Sequence, residues 1–205
     1  MDLMNLPLYK VNEKNKVEDR IYKTSINYLY YISTIVHEDN RGFYREVALI
    51  PDIEKVIGKP FSIKQLNHAN SVKNVIRGMH AEDWNKLVTV THGVCLCVLA
   101  DIRPNSPTFL KKEYTLLGFG ENALPGSIFI TKGIANSMFI VEEPVEYIYA
   151  VDELYRDRDK SGDVAISLFD PDLNIQWPIP QEEMIISDRD KNSITLREKY
   201  PEKFG

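Results

Sequence analysis

Between residues 61 and 151 the chain is a succession of short apolar or β-branched runs, each closed by a turn signal. This rhythm restricts the fold more than any other feature. The runs cover 61–66, 73–79, 86–91, 94–100, 108–117, 127–131, 137–141 and 145–151. Between them stand Thr91-His92-Gly93, Arg103-Pro104-Asn105-Ser106-Pro107, Leu124-Pro125-Gly126, Lys132-Gly133 and Glu143-Pro144. Short strands at this spacing predict an all-β sandwich or barrel. An earlier strand is expected over 27–36. A short helix is expected over 51–58, with Pro51 at its start and Gly58 at its end.

The β-rich stretch sets the organisation. Residues 26–152 are expected to form the core, 1–25 a polar arm docked on a neighbour, and 153–205 a wrapping segment of the same domain. A short helix is expected within 194–204. A chain of 205 residues is one domain's worth, large enough to bury roughly 70% of its unfolded surface without a disulfide or metal staple. The net charge of −5 gives no general attraction to nucleic acid or anionic membrane. The longest apolar run, residues 94–100, is far too short to span a bilayer. No secretory leader pattern opens the sequence. The two cysteines, Cys95 and Cys97, are expected to be buried thiols in a reducing cytoplasm, because a disulfide two residues apart on a strand is strained.

Polar side chains concentrate over residues 65–86, where Gln65, Asn67, His68, Asn70, Arg77, His80, Glu82 and Lys86 interrupt strand-like sequence. They fit either a solvated sheet face or the lining of a barrel mouth. Strict alternation sends Arg77 and His80 to opposite faces. For both to serve one site, Gly78 must mark a bulge or a bend.

The order of motifs resembles the dTDP-4-dehydrorhamnose 3,5-epimerases, a branch of the cupin superfamily. The matching pieces include Asp39-Asn40-Arg41-Gly42-Phe43 with Glu46, Gln65-Leu66-Asn67-His68, and Asn74-Val75-Ile76-Arg77-Gly78-Met79-His80. Further along come Lys86-Leu87-Val88, Asp101-Ile102-Arg103, Tyr149, Tyr155, Ile175-Gln176-Trp177-Pro178 and Ser187-Asp188-Arg189-Asp190. The resemblance implies a cupin jelly roll, a homodimer, and a nucleotide-linked 4-keto-6-deoxy sugar as substrate, with no cofactor.

It also implies roles. His80 matches the base that removes a proton beside the ketone, and Asp190 the acid that orients it. Tyr149 matches the phenol that returns a proton on the other face, and Lys86 the cation at the enolate oxygen. Arg41 and Arg77 match diphosphate contacts. Glu46, Gln65, Asn67, Asn136 and Tyr155 match substrate-binding positions.

Three departures stand out. Asn136 replaces a histidine and Cys97 an aspartate that many relatives carry, which removes a polar pair and points to narrower stereochemistry, with C3 favoured. His37 occupies a position where an aromatic often stacks on the nucleotide base. The segment 81–85 is shorter than usual, with Trp84 as a candidate wall. The competing functions are a C3-only epimerase, a ketoisomerase on another nucleotide sugar, and a non-catalytic sugar-nucleotide-binding cupin. No metal is expected: a metal cupin wants a His-x-His pair and a later histidine, whereas Ala81-Glu82 follows His80 and no histidine follows His92.

Overall fold

The computed structural model describes residues 3, 5–157 and 159–204. The chain enters through β1 (Lys16–Glu18), β2 (Ile21–Lys23) and β3 (Leu29–Ser33). A hairpin of β4 (Val36–Asp39) and β5 (Gly42–Arg45) forms its own two-stranded sheet. After α1 (Ile50–Ile57) come β6 (Gln65–Ser71), β7 (Val75–Ala81), β8 (Lys86–Asp101), β9 (Lys112–Gly118), β10 (Gly126–Ile130) and β11 (Ile134–Val151). The last part adds β12 (Val164–Ala165), β13 (Ile185–Ile186) and the short helices α2 (Asp188–Lys191) and α3 (Leu196–Lys199).

Two antiparallel strands, β8 and β11, carry the architecture. The first half of β8 pairs with β10, and its second half with β9. The second half of β11 pairs with β6, and its first half with β7. Each long strand therefore takes part in both halves of one curled sheet. Val88, Cys95, Cys97 and Leu99 from β8 meet Met138, Ile140 and Tyr147 from β11 in one buried cluster between those halves. Alternate residues point the other way: Leu96 and Val98 pack with Phe139 and Ile76 in a second cluster. This is a jelly-roll sandwich.

The sequence divides β8 and β11 into two strands each, and the structure does not. Thr91-His92-Gly93 lies inside β8, and Glu143-Pro144 lies inside β11. Both are sites of irregular register, with shifts between Ile140 and Tyr147. Gly93 has a φ of +75°, and a Cβ there would sit 2.4 Å from the Pro144 carbonyl oxygen. Glycine here permits two backbones to touch at a bend, which is a different use from ending a strand.

Part of the expected N-terminal arm is strand within the same chain. β2 pairs with β3, and Ile21 and Tyr22 are buried. Residues 16–23 thus extend the sheet, and the strand expected over 27–36 shortens to β3. α1 ends as expected at Gly58, in the left-handed conformation. Its Ile53 packs with Phe61 and Phe129, whose rings meet edge-on at 5.0 Å. Burying each such side chain contributes roughly 1.5–3 kcal/mol. The free thiols of Cys95 and Cys97 are buried, with sulfurs 3.6 Å apart.

Candidate active site

A cavity of about 570 Å³ opens between β7, β8, β11 and the segment that carries β13 and α2. His80, Lys86, Tyr149, Asp190, Arg77, Asn136 and Tyr155 all line it. Arg77 and His80 reach the same cavity because β7 is bulged between them. Asn136 pairs with His80 and Met138 with Arg77, so Gly78 and Met79 together oppose the single residue Ser137. Gly78 has a φ of +137°, and an added Cβ would lie 2.5 Å from the Ser137 Cβ. On the far side of the strand Ile76, Met79 and Ala81 join the core.

His80 and Asp190 are 110 residues apart in sequence and 2.7 Å apart in space, from Nε2 to Oδ1. The second carboxylate oxygen accepts the Gly78 N–H at 3.2 Å. Ser187 caps α2 by accepting the Asp190 N–H. Asp190 is only 6% exposed. Burial pushes its carboxyl up, but the hydrogen bond and charge of His80, with the Gly78 N–H, outweigh burial and hold it below the ordinary carboxylate range. The ionised acid fixes the orientation of the ring.

The same cavity holds a second ion pair. The Lys86 ammonium lies 2.7 Å from Glu82, and both side chains are largely buried. The ammonium also sits 5.3 Å from the centroid of the Tyr149 ring, within cation–π range. Tyr149 stacks on Tyr147 at 6.1 Å. Burial first, then the Glu82 carboxylate, push the Tyr149 phenol up. Burial pushes the Tyr147 phenol up to about 12. Trp84, 5% exposed, lines the cavity with its ring 6.3 Å from Tyr155. It thus occupies the wall position considered for it.

Four of the sequence-derived positions are not among the residues lining this cavity. Arg41 is at the exposed tip of the β4–β5 hairpin, bonded to Asp39 at 2.5 Å. Glu46 pairs with Arg20 at 3.2 Å. The hairpin borders a separate depression with His37, Phe43 and Tyr44. Gln65 and Asn67 are on β6, beside Tyr149 on the same face of the sheet. Gln65 donates to Asn67 Oδ1 at 2.7 Å and accepts the Tyr155 N–H at 2.9 Å, and Asn67 pairs in register with Tyr149. They brace the wall in a single chain. Arg77 is anchored at the mouth by Ser71 Oγ at 3.0 Å. Asn136 donates to the His80 carbonyl at 2.7 Å. It also borders, with Cys97, a small void next to the cavity.

Sequence reasoning assigned no role to Glu82 or Tyr147. Glu82 precedes Lys86 by four residues across a turn between strands, where helical pairing rules give no signal. Among the described residues, no group of three or more His, Cys, Asp and Glu side chains is arranged to hold a metal ion. No helix among them is long and apolar enough to cross a membrane.

Comparison with known proteins adds to this geometry. The family described as dTDP-4-dehydrorhamnose 3,5-epimerase matches residues 23–198. The chain is 33% identical over 182 residues to the dTDP-4-dehydrorhamnose 3,5-epimerase of Escherichia coli K12, covering 87% of itself and 95% of the relative. It is 27% identical over 166 residues to a dTDP-4-dehydro-6-deoxyglucose 3-epimerase of Streptomyces bikiniensis, covering 79% of itself and 81% of the relative. Among solved structures, it is similar to a dTDP-6-deoxy-D-glucose-3,5-epimerase of Legionella pneumophila in complex with dTDP-4-keto-L-rhamnose. The TM-score is 0.77 and the identity 29%, over 89% of this chain and 95% of that one.

Proposed function

This chain belongs to the dTDP-4-dehydrorhamnose 3,5-epimerase family, a family of isomerases, and on that premise we propose that it epimerises a nucleotide-linked 4-keto-6-deoxy sugar at the carbons beside the ketone. The observation that carries this reading is that the His80–Asp190 pair lines one cavity together with Lys86 and Tyr149. A C–H bond beside a ketone is acidic because the electron pair left behind spreads onto the carbonyl oxygen. His80 takes that proton as general base, and Asp190 stabilises the imidazolium. Lys86 donates to the oxygen as it becomes negative. Tyr149 returns a proton to carbon from the other side, and the ketone re-forms. One C–H bond breaks and one forms with no net oxidation, so the reaction requires no cofactor.

The test is incubation in D2O with dTDP-, GDP- and CDP-linked 4-keto-6-deoxy sugars, following C3 and C5 by NMR. Deuterium entry with inversion is the expected result. Absence of exchange in all three would overturn the reading. The same spectra decide a second reading, epimerisation at C3 alone. It is supported by Cys97 and Asn136, which border one void and cannot relay a proton as an Asp–His pair would. Rapid inversion at both carbons would sink it.

The active form is a homodimer in which the β4–β5 hairpin serves the partner's cavity. Supporting this, Phe43 and Tyr44 are 61% and 66% exposed in the single chain, and Arg41 and Glu46 lie outside its own cavity. Mixing His80→Asn with Arg41→Ala subunits is then expected to restore about a quarter of the native sites, because half the dimers are hybrids with one intact site each. Measured at substrate below KM, activity no greater than the sum of the two separate variants would exclude a shared site. A nucleotide-linked substrate and two reduced thiols fit a cytoplasmic enzyme.

A further inference from the structure

We propose that Glu82 is a positioning residue for this reaction, holding the Lys86 ammonium at the cavity wall so that it meets the oxygen on which negative charge develops. The inference rests on the function proposed above.

A lysine is a poor fixed charge by itself. Four rotatable bonds let the ammonium wander, and holding it costs entropy. The Lys86 ammonium is held at two points. The Glu82 carboxylate takes one of its three donors at 2.7 Å, and the Tyr149 ring lies 5.3 Å away. Two N–H groups remain for a ligand in the cavity. Glu82 lines that same cavity.

Charge balance gives Glu82 a second effect. When His80 takes a proton, the cavity holds an imidazolium, an ammonium and the Arg77 guanidinium. Asp190 offsets the first and Glu82 the second. The groups facing Glu82 are Lys86, His80 and Asp163, and it acts in turn on Tyr149. Burial works against the Glu82 carboxylate, yet the charge and hydrogen bond of Lys86 outweigh it and keep it ionised. Its charge helps keep the proton on the Tyr149 phenol.

An ammonium aimed at the carbonyl oxygen matters most when that oxygen becomes an anion, so the effect belongs in kcat rather than KM. Exchange at the reacting carbon is therefore measured in D2O for the wild type, Glu82→Gln, Glu82→Asp, Lys86→Gln and the Glu82→Gln/Lys86→Gln double variant. Glu82→Gln is expected to lower kcat about tenfold or more, in the range seen for partners one step removed from the reacting group, with little change in KM. The basic limb of its pH profile moves to lower pH, because Tyr149 loses the carboxylate that raised it. In the Lys86→Gln background the same change is expected to cost less than about twofold, since residues acting as a unit are not additive.

An unchanged kcat in Glu82→Gln would overturn the proposal. So would a full further loss in the Lys86→Gln background, which would make Glu82 an independent contact. If Glu82→Gln does not fold, Glu82→Asp enters the same cycle: it retains the charge but falls one methylene short, and the same non-additivity decides. Exchange by the wild type is the control. Its absence overturns the epimerase reading and this inference with it.

Discussion

Replacing His80 by asparagine is expected to abolish deuterium entry at the reacting carbon while leaving fold and subunit assembly intact. Removing a positioned general base commonly costs about 10²–10⁴-fold. Asparagine is the informative substitution because its amide can still donate to Asp190, whose carboxylate is buried and bonded to the Gly78 N–H. An alanine would leave that carboxylate without its partner and mix a stability loss into the result. Asp190→Asn should slow exchange less completely, since the imidazole remains. Full exchange in His80→Asn would require another base. His68 and His92 are equally near in sequence, but neither lines the cavity, and His68 lies on β6 with its ring 3.6 Å from Glu146.

Tyr149→Phe is expected to separate proton removal from inversion. The ring stays, and with it the stacking on Tyr147 and the aromatic face beside Lys86. Only the hydroxyl goes. His80 can still form the enolate and return a deuteron to the face it came from, so label enters with retained configuration. Inverted product should fall by about 10²–10⁴-fold. Burial and Glu82 both push the Tyr149 phenol up, so the wild-type acid carries its proton through the neutral range. Loss of label and inversion together, with substrate still bound, would move the phenol into the first step.

What the sequence disclosed about this fold follows the range of each physical signal. Strand alternation and turn residues act locally, and they located most of the β-elements. They could not tell a turn from a bend inside a strand, so Gly93 and Pro144 divided β8 and β11 on paper. β2 escaped notice because Ile21 and Tyr22 are set among charged neighbours. The requirement for a bulge at Gly78 was legible, because Arg77 and His80 could share a cavity only that way. The Asp190 partnership was available only from family resemblance, since no local rule joins residues 110 positions apart. Glu82 carries no motif at all. Its relation to Lys86 comes from the turn between β7 and β8. Arg41 and Glu46 stand out as motif residues, yet one chain alone does not bring them to the cavity.

The bulge at Gly78 has a consequence for how this site can vary. It is a change of parity: before it, odd-numbered residues of β7 face the cavity, and after it, even-numbered ones do. Val75 and Arg77 lie on one side of the break and His80 on the other, while Ile76 and then Met79 and Ala81 face the core. Deleting one residue here would give a more regular ladder. It would also turn either the guanidinium or the imidazole out of the cavity and drive an apolar side chain into it. Substitution can tune the site, but a single-residue deletion exchanges inside for outside along half the strand. The regularity of the sheet and the chemistry of the cavity are therefore alternatives at this position, and the chain keeps the irregular one.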